Sequence, residues 1–283
     1  MDNKIKYIRT QSVSSVVENR MPLFWGLNRK SLKATGLYKA FEANDREIVV
    51  RKDNYVLRIK NDLLTQTHKD ILEALLLMRN GKMVQSFNMY DIFKVLDKKT
   101  KNNYWLEDII EELVNVKIHI TYDNDNYVKM FGILTNLEYE RENGEAVITW
   151  DDAFLSIYDE SAVLNYSKYI NSISNLKHDI TKQVVRWLLS YPALQIDLKK
   201  LVVNKLGFGN IVKSRSIYNY IQNIKNEDLS MFGITISDDQ KPIISIVRPN
   251  DIGFYNGAPI QDITSIKRKR KRPSNVLPLF ELE

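Results

Sequence analysis

The chain has 283 residues and no cysteine, and its net charge of +6 is concentrated in one segment. Setting aside the six consecutive cations Lys267 to Arg272 lowers the Lys and Arg total from 41 to 35, which equals the 35 Asp and Glu. The 44% hydrophobic content is typical of folded domains, and the length is sufficient for two. Without cysteine, disulfides and thiolate metal sites are excluded.

No segment approaches the run of about 18 apolar residues that a membrane-spanning helix needs. The stretch from Met1 to Arg20 alternates charged and polar residues and has no apolar signal core. We therefore expect no membrane partner and a cytoplasmic location.

An N-terminal extension, residues 1–61, is predicted to hold a β-hairpin. The segments Glu47 to Val50 and Val56 to Ile59 are rich in β-branched residues and flank Asp53-Asn54, a pair that favours turns.

Residues 62–150 are predicted to form a first domain that opens with three short helices. Thr67 to Asp70 has the form of a capping box, which predicts the start of the first helix. Ser86 is the expected cap of the second helix. The third helix is identified by an apolar face with helical spacing, formed by Leu106, Ile109, Ile110 and Leu113.

A polar stretch before the third helix is the first candidate DNA-binding segment. Asparagine can bond adenine through two atoms, and lysine can reach guanine or phosphate. A solvated loop before a structural helix is the alternative. The candidate residues are Lys98, Lys99, Lys101, Asn102, Asn103 and Tyr104.

After the third helix the apolar period changes from helical to two, which predicts strands from Val116 to Tyr122 and from Tyr127 to Leu134. The intervening turn is expected to lie along the DNA backbone as a wing, with contacts from Asn124 and Asn126. Asn143-Gly144 marks a further tight hairpin.

Residues 177–250 repeat this plan about 110 residues later. Asp197 is the expected cap of a second helix and Gly207 its end, while a third helix begins near Ser214 or Ser216. Arg215 is the strongest candidate for base recognition, because its guanidinium fits guanine O6 and N7 together; a phosphate contact is the alternative. The other candidates are Lys213, Ser214, Ser216, Tyr218, Asn219 and, in a second wing, Lys241.

Three helices followed by a hairpin are typical of the winged-helix form of helix-turn-helix. The expected fold is therefore α+β, with two tandem winged-helix domains joined by a connecting segment, 151–176. The remaining residues, 251–283, are expected to form a disordered basic tail, because neighbouring cations repel one another.

The tail ends in a short apolar peptide with anchor residues Leu277, Leu279 and Phe280. It is similar to the Leu-x-Leu-Phe peptides with which bacterial proteins bind the replicative sliding clamp, although Val276 stands where glutamine usually leads. A strap on the protein's own surface is the alternative.

No catalytic set is evident in the sequence. Gly207 to Ser214 approaches the phosphate-binding loop pattern, but Val212 replaces the second glycine and the segment follows a helix. The histidines are scattered, without the spacing of a metal site. We therefore expect no enzymatic activity, no cofactor and no metal.

This layout resembles the plasmid replication initiators of the TrfA and RepA types over roughly residues 63–248. The resemblance lies in LTQTHKDILEALLLM (Leu64 to Met78), NNYWLEDIIEELVNVKIHI (Asn102 to Ile120) and KSRSIYNYIQNI (Lys213 to Ile224). It implies a bacterial protein that binds direct repeats of duplex DNA at an origin, opens the DNA locally and recruits host helicase and sliding clamp. It also leaves a homodimer open.

Two other functions fit the same pattern. A winged-helix transcriptional regulator would bind an operator without recruiting replication proteins. A DNA-nicking enzyme would leave a nick or a covalent adduct on supercoiled origin DNA.

Overall fold

The computed structural model describes residues 13–52, 55–99, 102–122, 127–160 and 162–255. The chain has an α+β fold. Its N-terminal extension contains short elements around a hairpin, and the predicted strands of that hairpin are confirmed. The elements are β1 (Ser14–Ser15), α1 (Val16–Arg20), β2 (Phe24–Trp25), α2 (Arg29–Lys33), α3 (Gly36–Ala43), β3 (Glu47–Lys52) and β4 (Tyr55–Lys60), and the short strand β5 (Leu64–Thr65) follows the extension.

A first helical unit follows, and it contains the three predicted helices. Its helices are α4 (Gln66–Met78), α5 (Met89–Val95) and α6 (Asn103–Asn115). Its strands are β6 (Val84–Asn88), β9 (Leu134–Tyr139) and β10 (Glu145–Trp150), and they form an antiparallel sheet in the order β6-β10-β9. The predicted apolar face of α6 is buried at Leu106, Ile109, Ile110 and Leu113.

Two predicted helix starts in this unit are wrong. Thr65, not Thr67, precedes the first turn of α4, where its backbone N–H donates to Nδ1 of His68 at 3.0 Å. Ser86 lies inside strand β6, and the cap of α5 is Asn88, which accepts from the N–H of Tyr90 at 3.0 Å. Several polar residues near each helix start could serve as its cap. The pairing of the preceding strand with a distant strand determines which of them does.

The predicted wing after α6 belongs to a different sheet. Strands β7 (Lys117–Tyr122) and β8 (Tyr127–Phe131) join the N-terminal hairpin in a four-stranded antiparallel sheet, ordered β3-β4-β7-β8. Strand β4 pairs with β7 along its whole length, which places Leu57 opposite Ile120. The hairpin in the unit's own sheet is β9–β10, whose turn contains the predicted Asn143-Gly144 pair with Gly144 at φ +76°.

The predicted connecting segment, 151–176, is folded in the described part. It contains α7 (Asp152–Glu160), β11 (Val163–Asn165), a 3₁₀ turn (Ser167–Tyr169) and α8 (Ile170–Ser174). Strand β11 lies between β1 and β15 (Gly253–Tyr255) in an antiparallel sheet, so the predicted tail starts later than residue 251. Three distant parts of the chain therefore meet in one small sheet.

A second helical unit repeats the plan of the first. It contains α9 (Asp179–Leu189), β12 (Ala193–Asp197), α10 (Leu198–Lys200) continued by a π-helical turn (Leu201–Lys205), 3₁₀ turns at Phe208–Asn210 and Ser230–Phe232, α11 (Ser214–Lys225), β13 (Ile234–Ile236) and β14 (Ile243–Val247). Its strands are ordered β12-β14-β13. The predicted cap and stop are confirmed: Asp197 accepts from the N–H of Lys200 at 2.7 Å, and Gly207 has φ +80°.

The first helices of the two units, α4 and α9, face each other across a buried ionic network. The guanidinium of Arg186 on α9 donates to Glu73 at 2.7 and 2.8 Å and to Asp70 at 2.7 Å, both on α4. Lys182 reaches the other oxygen of Asp70 at 2.7 Å. Since Arg186, Asp70 and Glu73 are at most 3% exposed, these charges can be tolerated only as matched partners.

The network extends into the N-terminal extension. Lys69 donates to Glu18 on α1 at 3.0 Å, and the Tyr158 hydroxyl donates to the same carboxylate at 2.6 Å. The Tyr166 hydroxyl from the connecting segment donates to Glu73 at 2.5 Å. Within the described residues, the N-terminal extension, the first and second helical units and the connecting segment thus each contribute side chains to one polar core.

Candidate DNA-binding surface

The first candidate segment lies at the start of α6, as predicted. Asn102 caps this helix and accepts from the N–H of Trp105 at 3.2 Å. Asn103 and Tyr104 form its first turn; Asn103 is half-buried, while Tyr104 is 69% exposed. Lys101 lies outside the described residues. The N-terminal end of α6 thus presents polar side chains to solvent, and their DNA contacts stay predictions.

Lys98 lies in a different environment from the rest of this segment. Its ammonium donates to the carbonyl of Ser174 at 2.7 Å and to Oδ1 of Asn175 at 2.8 Å. Burial lowers its pKa, and the nearby charge of Lys182 acts in the same direction. The structure therefore gives Lys98 a bond to the end of α8, whereas Lys99 is exposed.

A groove of about 340 Å³ separates the start of α6 from the β9–β10 turn. The guanidinium of Arg141 in that turn lies 5.7 Å from the ring centres of both Tyr104 and Tyr139, and it donates to Glu107 at 2.6 Å. The Tyr139 hydroxyl also donates to Glu107. Burial would raise the pKa of Glu107, but these hydrogen bonds outweigh it and the pKa is lowered. Arg141 is not among the residues predicted from the sequence, although an arginine in a hairpin turn that follows a third helix is a pattern that could have indicated it.

The second candidate segment lies at the start of α11 and is open to solvent. Lys213 precedes the helix. Ile217 and Ile224 are buried and form the inward face of the helix. Within the described part of the chain, the Arg215 side chain has no hydrogen-bond or ion-pair partner. Of the predicted residues, Ser216 is half-buried, and those exposed are Lys213, Ser214, Arg215, Tyr218 and Asn219.

The third helices of the two units differ in charge. Helix α6 carries Glu107, Asp108, Glu111 and Glu112 and no Lys or Arg. Helix α11 carries Arg215 and Lys225 and no Asp or Glu. Because DNA attracts cations and repels carboxylates, the electrostatics favour a nucleic-acid contact at α11 over one at α6.

The two predicted wings have different outcomes. Lys241 is exposed in the turn between β13 and β14, beside the exposed Asp238 and Asp239. Asn124 and Asn126 lie outside the described residues, and the strands that flank them belong to the four-stranded sheet. Placing them in the wing of the first unit was therefore wrong, because the β7–β8 hairpin pairs through β7 with the distant strand β4 and not with the unit's own sheet.

The predicted clamp-binding residues Leu277, Leu279 and Phe280 lie outside the described residues, as do the six cations. Within the described part of the chain, no helix combines the length and apolar character needed to cross a membrane. The same residues contain no group of three or more His, Asp or Glu side chains placed to hold a metal ion.

The fold is shared with solved structures. The chain is similar to domains 2 and 3 of RctB, with a TM-score of 0.55 and 12% sequence identity over 83% of this chain and 98% of that one. A second structure of RctB domains 2-3 gives a TM-score of 0.49 and 11% identity over 70% and 88% of the two chains. No protein-family model and no curated protein sequence matches.

Proposed function

We propose that the chain is a replication initiator that binds repeated sites in duplex DNA at an origin. In this proposal each helical unit is a winged-helix domain, and the two units contact successive segments of one duplex. The repeated sites belong to a plasmid, and the protein opens adjacent DNA and recruits the host helicase and sliding clamp.

The observation that carries the proposal is the duplicated topology. Each unit has the order helix, strand, helix, helix, strand, strand, and each sheet places the last strand between the other two. This is the order of elements expected for a helix-turn-helix followed by a wing, in which the third helix enters the major groove. In both units the N-terminal turn of the third helix is accessible.

The difference in charge between the third helices supports different roles for the two units in DNA binding. Arg215 and Lys213 supply base recognition and phosphate attraction in the second unit. In the first unit, Asn102, Asn103 and Tyr104 contact bases, while the acidic rest of α6 keeps phosphate at a distance. The second unit therefore contributes more of the binding energy.

The structural neighbour adds independent support. RctB is a replication initiator, and its domains 2 and 3 share this fold over most of the chain. The similarity at 12% sequence identity concerns the architecture, and the residue assignments rest on exposure and charge. The initiator acts by binding and has no catalytic step.

The proposal is tested by DNase footprinting on the DNA that flanks the gene. An initiator should protect several direct repeats beside an A·T-rich segment, with protection spanning about one helical turn per unit. A single protected operator without repeats would favour a transcriptional regulator instead. Incubation with Mg²⁺ and supercoiled origin DNA tests the non-enzymatic role, which a nick or covalent adduct would contradict.

Arg215→Ala should lose about 1–3 kcal/mol of discrimination between the protected site and a scrambled duplex. The guanidinium fork is the only feature of this residue that can bond guanine at two atoms, so Arg215→Lys should recover little of the loss. Binding isotherms on both duplexes provide the measurement. The matched control is Lys225→Ala, which removes one charge from the opposite end of α11; equal discrimination by the two alanine variants would contradict the assignment.

A further inference from the structure

The four-stranded sheet β3-β4-β7-β8 has one buried face and one open face. Its buried face is formed by alternate residues that are at most 1% exposed: Ile48, Val50, Leu57, Ile59, Ile118 and Ile120. Because successive side chains of a strand point to opposite sides, the residues between them form the open face. On edge strand β8 that face includes Val128 and Met130, which are 53% and 61% exposed, so the described part of the chain leaves them uncovered.

The open face carries an excess of positive charge. Arg51, Arg58, Lys60 and Lys117 lie on it, and Glu47 is the one carboxylate that β3, β4, β7 and β8 place there within the described residues. Glu47 is shared by Lys60 at 2.5 Å and Arg58 at 3.5 Å. One carboxylate cannot neutralise four cations, so the face keeps a net positive charge that suits a polyanion.

The strand register brings these cations close together. Lys60 lies directly opposite Lys117, and Arg58 lies opposite His119. Neighbouring strands are about 5 Å apart, and same-face residues two positions apart on one strand are separated by about 7 Å. The cations therefore form a compact, nearly flat patch that approaches a phosphodiester chain without entering a groove.

Apolar side chains adjoin the cations on the same face. Val49 lies opposite Arg58 on the neighbouring strand β3. On the other side of Arg58 lies His119, and Met130 lies opposite His119 on strand β8. A duplex keeps its bases stacked inside and would leave this apolar surface unmatched. A single strand exposes the faces of its bases, and a methionine thioether packs well against aromatic rings. The combination of cations and apolar residues thus favours a single strand over a duplex.

The open face lies away from the proposed duplex-binding end of the first unit. Helix α6 begins at Asn103 and is 13 residues long, which corresponds to about 20 Å. Strand β7 starts at Lys117, just beyond the C-terminal end of this helix. A strand held on the sheet would therefore not compete with a duplex at the N-terminal end of α6.

We propose that the open face of the β3-β4-β7-β8 sheet binds single-stranded DNA, with Arg58, Lys60 and Lys117 on phosphates and Met130 against bases. This site goes beyond the duplex contacts of the proposed function and does not depend on them. It would hold one strand of opened DNA while the helical units remain on the duplex.

The test measures fluorescence anisotropy of a labelled 20-nucleotide oligodeoxythymidine with the full-length chain across a range of salt concentrations. Each lost phosphate contact should lower the slope of log affinity against log salt by about 0.7. The double variant Arg58→Ala/Lys117→Ala should therefore lower the slope by about 1.4 and the affinity at 0.1 M salt by about 25-fold. The matched control is Lys30→Ala/Lys82→Ala, which removes the same charge from exposed positions elsewhere.

A 20-base-pair duplex that contains the protected repeat provides the second arm. Arg58→Ala/Lys117→Ala should leave duplex binding close to that of the control, whereas Arg215→Ala should weaken duplex binding and leave oligodeoxythymidine binding nearly unchanged. Equal losses in the double variant and its control, or an equal loss on the duplex, would overturn the proposal. Failure of Arg215→Ala to affect the duplex would count against the proposed function alone.

If the double variant does not fold, a single substitution on the apolar part of the face tests whether that face binds single-stranded DNA. Met130→Glu places a carboxylate beside the cations at a position that is already exposed. Binding of oligodeoxythymidine should fall at least as far as in the double variant. Unchanged binding by a folded Met130→Glu protein would overturn the site.

Discussion

Arg186→Met is expected to lower the free energy of unfolding by about 3–5 kcal/mol, because it leaves Asp70 and Glu73 buried without their shared cation. Burial alone would lower the pKa of Arg186, but the charges of Glu73 and Asp70 outweigh burial and raise that pKa well above its ordinary value. The arginine is therefore charged at any accessible pH. Denaturant unfolding followed by fluorescence and circular dichroism provides the measurement.

The matched control is Arg141→Met, which also removes an arginine that is bonded to a carboxylate. The Arg141 side chain is 63% exposed and that of Glu107 is 9% exposed, so removing the arginine opens the carboxylate to solvent that already surrounds the arginine. The loss should therefore lie closer to the roughly 0–1 kcal/mol of surface ion pairs than to that expected for Arg186→Met. A loss of under 1 kcal/mol for Arg186→Met as well would show that the two units do not depend on the buried network.

His68 is expected to make the stability of the fold decrease with falling pH, beginning at a pH well above the range in which carboxylates titrate. Its Nδ1 accepts from the N–H of Thr65 at 3.0 Å, so that nitrogen carries no proton, and Nε2 donates to Glu112 at 2.6 Å. Burial, assisted by the charge of Arg29, lowers the pKa of His68 from 6.5 to about 3. The ring is therefore neutral in the folded chain.

The sign of the pH effect follows from this lowered pKa. In the unfolded chain His68 takes up a proton near pH 6.5, while the folded chain resists protonation until about pH 3. The stabilisation is thus complete above pH 6.5 and is lost as the pH falls towards 3, at about 1.4 kcal/mol per pH unit. His68→Gln should reduce the slope of stability against pH between 6 and 5 by about that amount.

The control for this experiment is His119→Gln on the open sheet face. Burial and the charge of Lys60 lower the pKa of His119, but the ring is half-exposed, so solvent screening should make the change in slope much smaller. Equal slopes for His68→Gln and the unmodified protein would mean that the histidine is protonated in the folded state.

Much of the local structure was predictable because it depends on residues close in sequence. The apolar spacing of Leu106, Ile109, Ile110 and Leu113 located the third helix, and Asp197 and Gly207 marked the ends of the short second helix in the second unit. The exposed position of Lys213 and Arg215 also agrees with the pattern. In each case the determinant is a helix period, a cap or a glycine with positive φ.

The rest depended on partners that local patterns do not specify. Alternation identified β7 as a strand but gave no indication that it pairs with β4, about 60 residues earlier, so the wing was placed on the wrong hairpin. The ionic network was also missed, because Asp70 and Arg186 look like solvated helix positions when each helix is considered alone. One feature of α9 could have indicated that Arg186 is buried: it is adjacent to Trp187 within a largely apolar segment.

The small sheet that joins β1, β11 and β15 has a mechanical consequence. It binds together the beginning of the described chain, the link between the helical units and the strand that follows the second unit. Swinging one unit away from the other would break these strand pairs as well as the bonds of Arg186. If both units bind one duplex, the DNA must therefore bend to fit the protein. Among sites with identical contacted bases, those with a flexible sequence between the two contact points should bind more tightly than those with a stiff one.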